Sequence, residues 1–325
     1  MIEDLRKPMS RLNLSIVMPG YNEEATISKN LKDVHHTARK LGIAFEIIFV
    51  NDGSSDNTER IVQDLALELE ELQLITYGEN RGRGYALRKG FENARGEMIL
   101  TTESDLTWGI DIINKLYSAI MKTGDDIVVA CPYLKGGGLR NVPFKRAFLS
   151  RFGNRVLSVS LGNIVHMVSG MTRIYRSECI CSIPLNSDDK EIHLEILSKA
   201  LVLGHRVSEI PAILAWPDKK IRRRGKRKSS FTMMKYINSH IIFTLFERPI
   251  LFFGILGLFI LIAGIIFGAY IVYLWFTGGL NPTRPLMTLV VLMVVGGIII
   301  FSFGLIGMQI NDLRKEIYRL QSKFK

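Results

Sequence analysis

Short apolar runs alternate with helically spaced apolar positions over about the first 230 residues of the chain. The runs LSIVM (14–18), FEIIFV (45–50), LQLITY (72–77), EMILTT (97–102) and DIVVAC (126–131) read as buried strands. Between the first two, Leu31, Val34, Ala38 and Leu41 recur at helical spacing within 23–41. Further helices are expected over 58–69, 84–94 and 110–121, with Asp56 or Asn57 available to cap the first of these. Strands and helices in alternation predict a largely parallel α/β sheet.

Two long runs then break the pattern. Residues 249–276 and 285–310 are apolar throughout, with no charge from Pro249 to Pro282 and only Arg284 before Asp312. Each exceeds the ~20 residues that cross a bilayer, and helices are the only such structure whose backbone groups are satisfied within the segment. The link TGGLNPTR is short, so a helical hairpin is expected, with Tyr270, Tyr273 and Trp275 suited to an interfacial belt. The segment 231–246 reads as a helix lying in the interface, and RRRGKRK before it suits anionic headgroups rather than nucleic acid.

Charge sets the orientation. Ten Lys and Arg lie in 216–248 and five in 311–325, against Arg284 at the hairpin tip. The excess predicts cytosolic termini. The first 20 residues carry charges that argue against a signal peptide. The expected organisation is a cytosolic domain over 1–230, an interfacial helix over 231–248, a hairpin over 249–310 with spans at about 250–275 and 286–309, and a basic tail over 311–325. The membrane is the cell membrane, or the ER membrane in a eukaryote. In the tail, Leu313, Ile317 and Leu320 fall at helical spacing, either a seam for homo-oligomerisation or a surface helix. With 47% apolar residues, disorder is excluded, and three cysteines (Cys131, Cys179, Cys181) provide neither a disulfide framework nor a zinc site.

Ligands of open α/β sheets bind beyond the carboxyl ends of the strands. There the chain places PGYNEE (19–24), NDGSSD (51–56) and ESD (103–105). Each alone is an ordinary turn or cap. Together they put three acidic clusters on one sheet edge, which suits a hard divalent cation and, with it, a diphosphate. After the third strand, Asn80-Arg81-Gly82-Arg83-Gly84 opens a helix whose amides favour an anion, with Arg81 and Arg83 adding charge. Leu87 breaks the GxGxxG spacing, so a dinucleotide fold is not supported.

MPGYNEE, FVNDGSSDNT, NRGRGYALRKGFENARG and the acidic pair after the fourth strand resemble glycosyltransferase family 2, over about 14–228. With the hairpin, the likeness narrows to the polyprenyl-phosphate sugar synthases. It implies a GT-A, Rossmann-like nucleotide-sugar domain and transfer of a hexose from a UDP- or GDP-sugar to a polyprenyl or dolichyl phosphate, with inversion. Pro19, Tyr21, Glu23 and Asp52 would hold base and ribose, and Arg83 joins the donor contacts. Glu103 and Asp105 fall on the family's metal motif, for Mg2+ or Mn2+, with Glu in place of Asp and Thr107 in place of Gln. Asp105, Glu195 and Arg146 are the expected catalytic residues, Glu195 facing the donor sugar unless it is buried or caps a helix. Arg146 and Ser150 match the lipid-phosphate site; Pro132 replaces its other arginine, for which Arg140, Lys145 or Arg151 would compensate, Arg140 being placed with them. Arg224 and Lys228 match a basic loop closing on the diphosphate. His166 replaces an Asp, as either a core residue or an acceptor-site group. A phosphate monoester is already a nucleophile at neutral pH, so no Ser-His-Asp relay is required. The alternatives are a family 2 transferase with another lipid-linked acceptor, and a degenerate membrane scaffold.

Overall fold

A computed structural model of the chain describes residues 12–216, 250–278 and 284–323. The chain divides into two units, one over 1–226 with 318–325 and one over 227–317. Arg224, Lys228, the expected interfacial helix over 231–248 and the hairpin link lie wholly or largely outside the described residues.

The first unit is built on strands β1 (Leu14–Gly20), β2 (Phe45–Asn51), β3 (Leu72–Thr76), β4 (Met98–Thr101) and β5 (Ile127–Cys131). Helices α1 (Ile27–Arg39), α2 (Thr58–Glu68), α3 (Arg83–Asn93) and α4 (Ile112–Thr123) connect them. There follow β6 (Gly138–Arg140), α5 (Phe144–Ser160), β7 (Arg173–Arg176), α6 (Ser177–Ser182), α7 (Ile192–Val202), β8 (Val207–Pro211) and β9 (Ile213–Ala215). The main sheet runs β3-β2-β1-β4-β7-β5-β8, and β6 pairs with β9 in a small second sheet. β1, β2 and β4 are parallel, with Leu14 level with Phe45 and Met98, so their carboxyl ends share one edge.

The apolar runs explain this arrangement. All of β1 and β2 is buried, including Ile16, Val17, Ile47, Ile48, Phe49 and Val50. Each such side chain contributes about 1.5–3 kcal/mol on burial. Helix α3 lies close on β1, where a Cβ at Gly90 would collide with Val17.

Three features depart from the sequence expectation. The sheet has seven strands, and β7 runs antiparallel between β4 and β5. β8 is parallel to β5. Helix α1 starts at Ile27, not at 23, because the amides of Glu23 and Glu24 bond instead to Thr58 Oγ1 (2.7 Å) and Asp56 Oδ2 (3.2 Å).

In the second unit, a π-helical turn (Ile250–Gly254) leads into α8 (Ile255–Phe276), and α9 spans Arg284–Lys323. Both are long and apolar enough to cross a membrane, over Phe252–Phe276 and Pro285–Leu313. Their backbones approach closely where Gly257, Gly297 and Gly304 leave no room for a Cβ. The tail continues α9 as a helix through Lys323.

Candidate active site

The loops leaving β1 and β2 are laced together. Asn22, held at φ 55°, donates its backbone N–H to Ser54 Oγ (2.9 Å) and accepts from Ser55 N at its Oδ1 (2.8 Å). Glu24 accepts from Asn57 N (3.1 Å), and Asp56 accepts from Thr58 N (3.0 Å) at the start of α2. Pro19 is buried at the end of β1, while Tyr21 is exposed beside it. Asn30 of α1 donates to the carbonyl of Ser104 (2.7 Å) and so ties in the loop after β4.

Asp52 is nearly buried and accepts four hydrogen bonds. Oδ1 receives Tyr77 OH (2.9 Å) and Arg81 N (2.8 Å); Oδ2 receives Asn80 Nδ2 (3.0 Å) and Gly82 N (3.1 Å). A carboxylate has about four lone-pair sites, so these donors fill it. Asp52 therefore organises the 77–82 loop, and burial together with Asp52 pushes the Tyr77 phenol far above its ordinary range.

This also corrects the reading of the glycine-rich stretch as an open anion site. The amides of Arg81 and Gly82 serve Asp52, and those of Gly84 and Tyr85 donate to Asp188 O at 2.8 and 3.1 Å. The glycines have a different purpose there: a Cβ at Gly82 or Gly84 would collide with the 187–189 backbone, and Gly82 has φ +94°. Arg88 donates to Ser187 O and pairs with Asp188, closing the same contact. The Arg81 guanidinium lies over the Tyr85 ring at 3.8 Å.

Glu195 holds that segment from behind. It accepts from Asn186 N (3.0 Å), Ser187 N (2.9 Å) and the buried Lys199 Nζ (2.6 Å). Burial pushes its carboxyl up, but Lys199 and Ser187 outweigh that and leave it below the ordinary glutamate value. Its side chain is largely withdrawn from solvent in this position.

Glu103 and Asp105 stand on the loop after β4. Burial raises the Glu103 carboxyl above its ordinary value, against the Thr172 hydroxyl that donates to it and the charge of Arg83; the nearby Asp105 raises it further. Asp105 is exposed and accepts from Thr107 N (3.3 Å). Two hard carboxylates, one desolvated and neither in a direct ion pair with a Lys or Arg among the described residues, fit a hard divalent cation. Among the described residues no three His, Cys, Asp or Glu side chains converge as a metal cluster.

Strand β9 links this loop to the β6–α5 segment that carries Arg140, Arg146 and Ser150. Ala215 N donates to Thr107 O (2.7 Å), and Trp216 N donates to Arg140 O (3.0 Å). The Arg146 guanidinium lies over the Trp216 ring at 4.5 Å. Ser150 Oγ shares a hydrogen bond with Tyr133 OH (2.8 Å). The buried Asn154 donates to Ser169 Oγ (3.1 Å) and accepts from Val168 N (2.8 Å), fastening α5 to the 166–170 loop. His166 Nδ1 lies 2.7 Å from Glu209, which also accepts from the amides of His166 and Met167. Cys131 and Cys179 are buried, with thiols pushed up to about 12 by burial, so neither is a nucleophile at neutral pH.

Several participants carry no sequence signal of their own. Arg173, fully buried in β7, donates to Val168 O (2.5 Å) and His193 O (2.9 Å), joining the 166–170 loop to α7. Its place in the run MTRIY was the one available hint. Thr172, Glu209, Asp188 and Lys199 were equally unmarked.

Comparison with known proteins agrees with this geometry. The chain is 29% identical over 230 residues to the dolichol-phosphate mannosyltransferase of Pyrococcus furiosus, covering 70% of this chain and 62% of that protein. It therefore spans less than two thirds of that relative's length. It is 24% identical over 314 residues to the undecaprenyl-phosphate 4-deoxy-4-formamido-L-arabinose transferase of Shewanella sediminis, covering 94% and 88%. In fold it is similar to glucosyl-3-phosphoglycerate synthase of Mycobacterium tuberculosis, crystallised with Mn2+, uridine diphosphate and phosphoglyceric acid (TM-score 0.53, 15% identity, 72% of this chain and 78% of that one). The expected GT-A sheet is thus borne out. Residues 15–181, which take in β1 from its second residue through β7 and the carboxylates of the loops after β1, β2 and β4, match the model of glycosyl transferase family 2, and the chain belongs to that family.

Proposed function

We propose that the protein moves a hexose from a UDP- or GDP-sugar to a polyprenyl or dolichyl phosphate at the cytosolic membrane face, inverting the anomeric centre. One observation carries the reading: the Ala215–Thr107 hydrogen bond joins the carboxylate loop of a family 2 site to the strand beside Arg140 and Arg146. The two apolar helices and the lipid-phosphate names of the relatives support the acceptor.

Pro19, Tyr21, Glu23 and Arg83 would contact the nucleotide sugar, with Asp52 setting the loop on which the base rests. Glu103 and Asp105 would hold a Mg2+ or Mn2+ ion, which when bound offsets the charge gathering on the diphosphate. Arg146, Arg140 and Ser150 would place the acceptor phosphate, and Arg224 and Lys228 would add charge at the diphosphate. The phosphate monoester needs no general base, so these residues act by screening two anions and aligning them. Direct attack by that phosphate at the anomeric carbon, with departure of the nucleoside diphosphate, gives inversion.

The test is incubation of the purified chain with a panel of UDP- and GDP-sugars, polyprenyl phosphate and Mn2+ or Mg2+, with Glu103→Ala/Asp105→Ala as control. Transfer to lipid that the double variant loses is the expected result. Nucleotide binding without transfer would overturn the acceptor, and a product retaining the donor's anomeric configuration would overturn the inversion.

A further inference from the structure

His166 stands where the resemblance places an aspartate, and the structure turns it outward. Val165, Met167 and Val168 around it lie in the core, while the imidazole is 43% exposed. One edge of the ring is fixed. Glu209 on β8 is 5% exposed; its Oε1 accepts from the amides of His166 (2.9 Å) and Met167 (2.7 Å), and its Oε2 lies 2.7 Å from Nδ1. A carboxylate engaged in this way accepts the Nδ1 proton and so decides which nitrogen is left over. That nitrogen is Nε2, on the far edge of the ring, and it meets no hydrogen-bond partner among the described residues.

The surroundings suit an anion. Asn154 ties the His166 loop to α5: its Oδ1 accepts from Val168 N (2.8 Å) and Ser169 N (2.9 Å), and its Nδ2 donates to Ser150 O (2.9 Å). Ser150 Oγ meets Tyr133 OH, and the thiol of Cys131, at the end of β5, lies against Glu209. The contacts therefore run in a closed circuit, from Glu209 to Cys131, along the chain to Tyr133, across to Ser150 and Asn154, and back through Val168 to His166. Pro132 stands on that circuit, with neither charge nor N–H, where the resemblance places an arginine. From residue 127 to 177 the chain carries eight Lys and Arg and no Asp or Glu, so no carboxylate of this segment opposes an anion. Glu209 itself is buried and already engaged.

We infer that His166, oriented by Glu209, makes a hydrogen bond from Nε2 to the acceptor phosphate and supplies there a contact that Pro132 lacks. The inference rests on the proposed function for its acceptor. An imidazole and a phosphate monoester hold their protons with similar strength, both titrating at about pH 6 to 7. In the complex one proton therefore lies between Nε2 and a phosphate oxygen, whichever partner brings it, and another oxygen stays free to attack. Arg146 and Ser150 would meet the phosphate from α5, and His166 from the loop that Asn154 fastens to that helix.

The experiment compares the full chain in detergent with His166→Asn and His166→Arg. Asparagine keeps a donor in the place of Nδ1 for Glu209 and has nothing in the place of Nε2; arginine extends its charge outward. Binding of geranyl phosphate and of phenyl phosphate is measured by calorimetry, sugar transfer to polyprenyl phosphate is measured with the panel of nucleotide sugars, and unfolding midpoints are recorded for all three proteins. In His166→Asn, affinity for both phosphates and kcat/KM for polyprenyl phosphate are expected to fall by roughly 10–100-fold, as loss of a hydrogen bond to a charged group does. The KM for nucleotide sugar and the unfolding midpoint are expected to hold, and His166→Arg is expected to regain most of the loss. Phosphate affinity in His166→Asn equal to that of the unaltered chain overturns the inference, whether or not the unfolding midpoint drops, and leaves the Glu209 contact a structural one. A rise in the KM for nucleotide sugar with phosphate affinity unchanged also overturns it, moving His166 to the donor. Weaker phenyl phosphate binding in His166→Asn, where the unaltered chain transfers nothing to polyprenyl phosphate, keeps the phosphate contact and removes the proposed acceptor; transfer that His166→Asn performs as well as the unaltered chain does the reverse.

Discussion

The backbone N–H of Ala215 donates to the carbonyl of Thr107 at 2.7 Å. Thr107 in turn donates its own N–H to Asp105, so one strand end braces the turn that carries the carboxylates. Ala215→Pro removes the donor without adding a charge. A net hydrogen bond is worth about 1 kcal/mol, so transfer is expected to fall by up to about tenfold. Nucleotide binding, measured by calorimetry, is expected to change little, because β1 to β3 are untouched.

Glu103 makes the proposed metal site pH-dependent. Its folded carboxyl lies above the ordinary value of 4.5, with burial as the main cause. Metal binding requires the ionised form. Mn2+ affinity should therefore decline on acidification, with a midpoint above that of an exposed glutamate. The sign for stability is opposite: without metal, the folded chain holds a proton that the unfolded chain has released, so this group's contribution falls as pH rises above 4.5. Thr172→Val removes the hydroxyl that favours ionisation, and should move the acid limb of the rate profile to higher pH. Asp105→Ala should lower kcat by roughly 10²–10³-fold at every pH, as loss of a charge-stabilising group does.

Arg146 should divide acceptor binding from donor binding. A charge-assisted hydrogen bond to phosphate is worth about 1.5–3 kcal/mol, so Arg146→Ala is expected to lower kcat/KM for lipid phosphate by roughly 10–100-fold. The KM for nucleotide sugar should hold. Trp216→Ala, which removes the ring under the guanidinium, should reproduce a fraction of the effect, since such a contact is worth about 0.5–1 kcal/mol at an exposed site.

The sequence was most informative where one physical signal dominated. Ile47 to Val50 and Ile127 to Ala130 are unbroken apolar runs, and they are strands. β7 was hidden because its first residue is Arg173, whose guanidinium is buried against two carbonyls that no local pattern announces. β8 was hidden by Ser208 and Glu209, which read as surface. The acidic residues after β1, β2 and β4 were legible as a group, because parallel strands deliver their ends to one edge. Their division of labour was not. Asp52 is filled by donors of the 77–82 loop, and Glu195 is engaged by the amides of Asn186 and Ser187 and by Lys199; only the fold shows these attachments.

The Glu195–Lys199 pair offers a test of that division. Both side chains are largely buried, and the pair fixes the segment that meets Gly82 and Gly84. Lys199→Met leaves a buried carboxylate with only the amides of Asn186 and Ser187, and should cost about 3–5 kcal/mol. Glu195→Gln removes the charge that balances the buried ammonium, which still donates to Pro184 O, and should cost a similar amount. The double variant should lose less than the sum, by about 0.5–3 kcal/mol, as residues in direct contact do. Glu195 lies below its ordinary value of 4.5, so its contribution is fully present above that pH and is lost as pH falls through the folded value. Denaturant titrations of the four proteins at pH 7 and in acid would measure both effects. A role in catalysis alone would leave the unfolding midpoints together; a role in holding the loop separates them.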